Sequence, residues 1–288
     1  MTRQSKAALL MGAFVFLWAA VEMLGGYAGV PGPEVVWFRY GTHLVAMLIL
    51  FGPRCRGAIV RTKCPLHLHV VRSLMMLGMP LAYLEGAARV PQSDVLSVFW
   101  SYPVLLVAAS HAAARYNARP RDYVLTASSF AAALLILLPL GEISYRTAVF
   151  PLAMAACFIA YMLMTRSMLR ESTITNLLHT ALWVFAALTL YVPFVWRTPS
   201  VRGLLAMAAI GMLGLAGLYA LDKAIHLAAP AEFATAGYLQ IVFVVLLDAT
   251  VHGRPVTIAQ TIGATLIGAA VIAALAARPD RKALGAAA

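Results

Sequence analysis

Ten apolar runs, each about as long as a bilayer's hydrocarbon core is thick, leave this 288-residue chain few ways to fold. They fall at roughly 7–27, 34–52, 70–88, 94–113, 122–140, 148–166, 174–195, 203–221, 231–250 and 257–277. A helix rises about 1.5 Å per residue, so about 20 apolar residues carry it across. The connections between runs are mostly short, and no soluble domain is left over. Strands of a membrane barrel would alternate apolar and polar residues over about ten positions. Stretches such as LVAMLILF and AALLILLPL do not alternate. Composition agrees: 62% of residues are hydrophobic and only 11% charged, where a soluble domain carries about a quarter charged. The expected fold class is an all-α integral membrane protein of ten transmembrane helices.

The net charge of +11 raises the question of nucleic acid, and its placement answers it. With alternating runs and an inner N-terminus, fifteen Lys and Arg fall inside: Arg3, Lys6, the Arg54–Lys63 loop, Arg115–Arg121, Arg166, Arg170, Lys223 and Arg278–Lys282. Five fall outside: Arg89, Arg146, Arg197, Arg202 and Arg254. Arg39 and Arg72 lie within runs. This is the positive-inside bias, and it predicts cytoplasmic termini and a multi-pass inner (plasma) membrane protein. The basic loops then serve topology and anionic lipid. The expected partners are membrane lipid and a small-molecule substrate, not nucleic acid, and a monomer is compatible with this reading.

Three cysteines, Cys55, Cys64 and Cys157, make no disulfide framework, and a cytoplasmic loop keeps thiols reduced. Cys64, His67 and His69 lack the second closed pair of a metal motif and read as a solvated loop. No Walker A loop, HExxH, CxxC or Ser-His-Asp cluster at one depth is present. No metal, cofactor or catalytic residue is expected, and the chain is not expected to be an enzyme. The first run follows Arg3 and Lys6 but is too long for a signal-peptide core, so it reads as an uncleaved helix.

Polar residues inside the runs are costly and therefore informative. Trp18 and Glu22 share a face at i, i+4. Arg39 sits at a similar depth on the next, antiparallel helix, so Glu22 and Arg39 are placed to meet. Such a pair either staples the two helices or forms an outer-half polar site. His43 reads as a packing histidine. Met76, Met79 and Tyr83 form one stripe, and Ser93, Ser97 and Trp100 another. Pro80 and Pro103 each remove a backbone hydrogen bond and favour kinks. Gly203, Gly211, Gly214 and Gly217 let the eighth helix approach its neighbours or leave room for a ligand. Gly263 and Gly268, five apart, are not a GxxxG motif.

The hairpin LGMPLAYLEGAARVPQSDVLSVFWSYPVLLVAAS over 77–110 has an echo over 213–250. Leu77-Gly78 and Tyr83 match Leu213-Gly214 and Tyr219, and Arg119-Pro120 and Thr126 match Arg254-Pro255 and Thr261. Five helices per half is an odd number, so a duplication would be inverted. Residues 1–140 form the expected first repeat, 147–277 the second, and 278–288 a cytoplasmic tail. Inverted repeats mark secondary transporters, which bind substrate near the midplane and rock to give alternating access.

Trp18 in FLWAA, Arg39 in WFRYGTHL, AARVPQSDVLSVFWSYPVLLVAAS and the small-residue last helix IGATLIGAAVIA, in this order and number, resemble the drug/metabolite transporter superfamily with its tandem EamA-type domains. PLAYLEGAARVPQSDVL is most similar to the bacterial aromatic amino acid exporter branch. The resemblance covers essentially the whole chain. It implies a ten-helix inner-membrane carrier with a central cavity lined mainly by helices 1, 3, 4, 6, 8 and 9. VLLDATVHGRP departs from the family pattern by lacking the Glu usual after helix 9. Those helices carry Trp18, Tyr83, Trp100, Tyr161, Tyr219 and Tyr238, which offer stacking faces to an aromatic ligand or pack between helices. Ser97 or Thr235 would hold an amino or carboxylate group. The function this implies is export of aromatic amino acids or similar small amphipathic metabolites. Its rivals are a multidrug or cationic-compound exporter with Glu22 as cavity carboxylate and, more remotely, an integral membrane enzyme such as a lipid-modifying transferase.

Overall fold

Hydroxyl, proline and glycine residues set the ends of helices whose middles are almost wholly apolar. The computed structural model describes residues 2–55, 60–113, 118–137 and 145–276, without the side chains of Arg54, Cys55, Gln92, Ser93, Tyr145 and Arg146. The expected boundary at 140, the tail over 278–288 and the facing of Ser93 lie outside the described residues.

The elements in order are α1 (Arg3–Gly25), α2 (Gly32–Cys55), α3 (Leu66–Ala87), α4 (Gln92–Phe99), α5 (Tyr102–Ala112), α6 (Pro120–Leu137), α7 (Tyr145–Ser167), α8 (Thr173–Thr189), α9 (Val201–Leu227), α10 (Leu239–His252) and α11 (Ile258–Ala276). Three 3₁₀ turns cover Val192–Phe194, Pro230–Glu232 and Ala234–Tyr238. No strand occurs among the described residues. Side-chain oxygens of Thr2, Ser172 and Ser200 cap α1, α8 and α9 by accepting from Ser5, Thr175 and Gly203 N–H at 3.1, 3.0 and 3.1 Å. Each cap satisfies a donor the first helical turn leaves open. Gly253 ends α10 at φ +67°, a left-handed conformation that glycine adopts without Cβ strain.

Eight segments are long and apolar enough to cross a membrane: α1, Gly32–Pro53, Asp94–Ala112, Thr147–Ser167, Thr173–Phe194, α9, Ala234–His252 and α11. The sequence expectation of an all-α architecture suited to a membrane is met at this level. The runs at 70–88 and 122–140 also form helices, α3 and α6, but these are not among the eight. α3 carries Arg72 and Glu85 within it, and the 18-residue α6 carries Arg121 and Asp122 in its first turn.

Two segments are broken. Pro103 has no N–H to offer Phe99 O, and Ser101 N–H turns instead to Val98 O at 3.0 Å, which separates α4 from α5 at Trp100 and Ser101. The second break is the pair of 3₁₀ turns that precedes α10. The two breaks touch: the Tyr102 hydroxyl occupies the space a Cβ on Gly237 would need, and the Trp100 and Tyr238 rings are 6.1 Å apart. Pro80, expected to kink its helix, lies inside an α3 that is continuous from Leu66 to Ala87.

α1 packs along α9, α3 along α7, α6 along α11, and α2 against α8 and α9. Close approach of α9 to α2 rests on two glycines. A Cβ on Gly211 would meet Thr42 side-chain carbons at 2.5 and 2.6 Å, and one on Gly214 would meet His43 Nε2 at 3.2 Å and Arg39 Cδ at 3.3 Å. The bundle has two ends. One carries the start of α1 and the end of α9; here Gln4 Nε2 donates to Glu232 Oε1 at 2.8 Å. The other carries the end of α1 and the start of α9; here Arg197 N–H donates to Glu34 Oε2 at 3.0 Å. They are called the near and far ends below.

Candidate functional site: a far-end cleft over a sealed near end

At the far end a cleft of about 470 Å³ opens between α1, α4, α6 and α10. Its polar lining is Glu22 and, toward the rim, Asp248, His252, Arg254, Thr257 and Gln260; Trp100 supplies an aromatic wall. Glu22 Oε1 accepts from Gln240 Nε2 at 2.8 Å, so the carboxyl group is held by a neutral amide and has no ion-pair partner among the described residues. Trp100 sits at the α4–α5 break, 3% exposed. Asp248 pairs with His252 Nδ1 at 2.9 Å and Arg254 Nη1 at 3.1 Å. Tyr83 is half-buried and within electrostatic reach of Glu22.

One turn below Glu22 on α1 is Trp18, and over its ring lies the Arg39 guanidinium at 5.1 Å. The same guanidinium is 4.9 Å from the Tyr40 ring. Arg39 is 6% exposed, and its Nε and Nη2 have no hydrogen-bond acceptor. No carboxylate lies within ion-pair distance of it among the described residues. The two aromatic faces stabilise the cation partially, but a buried guanidinium with open donors remains costly.

The near end is closed by a second polar group, built from α3, α7, α8 and α9. Arg72 Nη1 donates to Thr165 Oγ1 at 3.1 Å; its Nη2 donates to Asn176 O at 2.5 Å and Thr180 Oγ1 at 2.7 Å. Its guanidinium also lies 5.1 Å from the Tyr161 ring. Asp222 Oδ2 is 4.0 Å from Arg72 Nη1 and accepts from Asn176 Nδ2 at 3.1 Å. His226 Nδ1 is 3.1 Å from Asp222 Oδ1, and its Nε2 is 3.1 Å from Glu171 O. Glu171 Oε1 accepts from the backbone N–H of Lys63 and, at 2.5 Å, of Cys64, tying the α2–α3 connection to the α7–α8 turn. His69 Nε2 lies 3.5 Å from the same carboxylate, and the His69 and His179 rings are 4.6 Å apart. Burial and then the Glu171 charge push the Cys64 thiol above the usual thiol range.

The residues singled out from sequence divide among these places. Glu22 and Trp100 line the cleft, and Tyr83 stands near Glu22. Trp18 lies below, under Arg39. Among the described residues Glu22 and Arg39 do not pair; Glu22 takes Gln240 instead, and Arg39 lies over the Trp18 ring. Tyr161 belongs to the near-end closure. Tyr238 is fully buried behind Trp100 and does not line the cleft. Tyr219 departs furthest from its expected lining role. It is 41% exposed, on the face of α9 away from the bundle, with Lys223 Nζ 5.5 Å from its ring. Ser97 Oγ donates to Asp94 O at 2.7 Å, and Thr235 Oγ1 lies 3.2 Å from Thr126 Oγ1, so both hydroxyls are engaged away from the cleft. His43 is buried against Gly214, as a packing residue would be. No group of three His, Cys, Asp or Glu with metal-holding geometry occurs among the described residues.

Gln240, Asp222, Asn176 and Glu171 were not singled out from sequence. Asp222 and Arg72 each carry a charge within or beside an apolar run, and charges so placed need a partner; that was the available signal. Gln240 and Asn176 gave none.

No protein-family model matches this chain, and no curated protein matches it. A solved crystal structure superposes with a TM-score of 0.81 over 96% of this chain and 100% of that one, at 21% sequence identity. At that identity the likeness is one of fold.

Proposed function

We propose that the protein is a secondary transporter of the drug/metabolite transporter superfamily, EamA-type, that exports aromatic amino acids or similar small amphipathic metabolites by alternating access. The observation that carries this reading is the contrast between the two ends. An open cleft with a carboxylate and an indole in its wall stands over a near end closed by hydrogen bonds among four helices. A carrier caught with one side open has this form. The near end is then cytoplasmic, in keeping with the Lys and Arg bias, and the membrane is the bacterial inner membrane.

The packing supports ten crossings in two inverted halves. Shift each helix by five crossings, counting α4–α5 as one crossing and the 3₁₀ turns with α10 as another. The pair α1/α9 then becomes α7/α3, α1/α10 becomes α7 with α4–α5, and α2/α9 becomes α8/α3. The pairs α2/α8 and α6/α11 map onto themselves. All of these are packed pairs. The broken α4–α5 segment corresponds to the broken segment leading into α10. The two breaks meet at the bundle centre, where irregular backbone is tolerated because it packs on protein or lines a cavity.

A second reading is favoured by one observation: Glu22 lines the cleft beside Trp100, and an uncompensated carboxylate next to an aromatic face also suits an organic cation. Growth of cells in toxic aromatic amino acid analogues, with and without expression, separates the two when run beside a cationic dye. Analogue resistance supports the amino acid reading. Dye resistance alone, lost in Glu22→Gln, supports the cation reading.

A further inference from the structure

We infer that Glu22 and Arg39 are the two poles of one zwitterion site: Glu22 takes the ammonium of an α-amino acid, and Arg39 takes its carboxylate. The inference rests on the transporter reading and deepens it.

Arg39 lies against Trp18, one helical turn along α1 from Glu22, and neither residue has an ion-pair partner among the described residues. Glu22 presents its carboxylate to the cleft and is held by the neutral Gln240 amide. Arg39 is more than nine-tenths buried, with Nε and Nη2 free of acceptors. Had the pair been a structural staple, the charges would have closed on each other. Instead Trp18, one helical turn from Glu22 on α1, has the Arg39 guanidinium over its ring at 5.1 Å. A buried guanidinium with two open donors is matched by one group above all others, a carboxylate, which accepts two parallel N–H bonds.

A ligand with an ammonium and a carboxylate on one carbon compensates both poles at once and leaves its side chain against Trp100. A ligand with only one charge leaves the opposite pole bare in a low-dielectric site. The Trp18 and Tyr40 rings pack on the Arg39 guanidinium at 5.1 and 4.9 Å, so a carboxylate that reaches its open Nε and Nη2 enters beside these rings. Gly214 supports the arrangement from below: a Cβ there would crowd Arg39 Cδ and His43 Nε2.

The test uses the purified full-length protein in detergent and three ligands of one shape: phenylalanine, phenethylamine and 3-phenylpropionate. Binding is followed by intrinsic tryptophan fluorescence. The wild type binds phenylalanine at least about tenfold more tightly than either singly charged analogue, the worth of one charge-assisted hydrogen-bonded contact. Arg39→Gln weakens phenylalanine about tenfold and leaves phenethylamine unchanged, so the ratio collapses within one preparation, whatever its folded fraction. Arg39→Lys, which keeps the charge, retains part of the preference. Glu22→Gln weakens phenylalanine and phenethylamine together and spares 3-phenylpropionate. If the wild type binds phenylalanine and phenethylamine equally, or if Arg39→Gln leaves the ratio intact, the two-pole site is wrong while the transporter reading stands. If none of the three binds saturably, the aromatic amino acid reading falls and takes the two-pole site with it.

Discussion

Arg72 and Asp222 face each other across 4.0 Å with both side chains fully sealed from solvent. They come from α3 and α9, helices that the proposed repeat relates to one another, and Asn176 on α8 bonds to both. In the low-dielectric interior, removing one member of such a pair strands the other. Arg72→Ala and Asp222→Ala are each expected to cost about 3–5 kcal/mol, with the double Arg72→Met, Asp222→Leu substitution far milder than either. Thermal unfolding in detergent measures this; a double-variant loss equal to the sum of the two single losses would show that the two charges act independently.

Gly263 and Gly268 lie on one helix and face different surroundings. A Cβ on Gly263 would meet Ile136 Cγ1 at 2.5 Å and the Ala132 carbonyl oxygen at 2.7 Å, whereas one on Gly268 would meet nothing within 4 Å. Gly263→Ala forces α11 away from α6 and is expected to lower stability by about 1–3 kcal/mol. Gly268→Ala is expected to be neutral or to gain up to about 1 kcal/mol of helix propensity. Melting temperatures of the two variants, measured side by side, check the contrast.

Trp100 and Tyr219 looked alike as aromatic members of a pocket, and the structure parts them. Trp100→Ala is expected to lower phenylalanine transport about tenfold by removing an aromatic wall of the cleft. Tyr219→Ala, on the exposed face of α9, is expected to leave it unchanged. Initial rates at matched protein density decide; a loss on Tyr219→Ala would mean that α9 turns this face inward during the cycle.

The near-end closure has a chemical reporter in Cys64. Its thiol sits above the usual range because burial, and then Glu171, disfavour the thiolate. The thiolate is the nucleophile, so alkylation at pH 7.5 is expected to run slower than for a free thiol, and its rate keeps rising past the pH where a free thiol levels off. Glu171→Gln removes the charge and weakens the hold on the Lys63 and Cys64 N–H groups, so labelling accelerates. Maleimide kinetics across pH 6.5–9.5, in a background with Cys55 and Cys157 replaced by Ser, give the profile.

Helix existence was legible because it needs only local information. Apolar runs must be helical to satisfy their own backbone, and the runs align with α1 through α11 closely. A distortion at Pro103 was legible and is met as the α4–α5 break, but the same reading at Pro80 failed, since α3 runs unbroken through it. What the chain order hides is which face of a helix turns inward. Tyr83 and Tyr219 match in the echo, yet one is half-buried near Glu22 and the other lies exposed beneath Lys223. Glu22 and Arg39 were legible as charges needing partners at one depth. That Gln240, more than 200 residues away in sequence, would take Glu22 depends on the packing of α1 against α10 and has no local signature. The near-end closure is of the same kind, with each member unremarkable until four helices bring it together.

Flux of labelled phenylalanine, tryptophan and threonine into liposomes bearing the reconstituted protein tests the transporter reading most directly. The expected result is saturable flux of phenylalanine and tryptophan exceeding that of threonine, accelerated by unlabelled phenylalanine on the opposite side and reduced about tenfold in Trp100→Ala. Flux of all three no greater than in protein-free liposomes would contradict it.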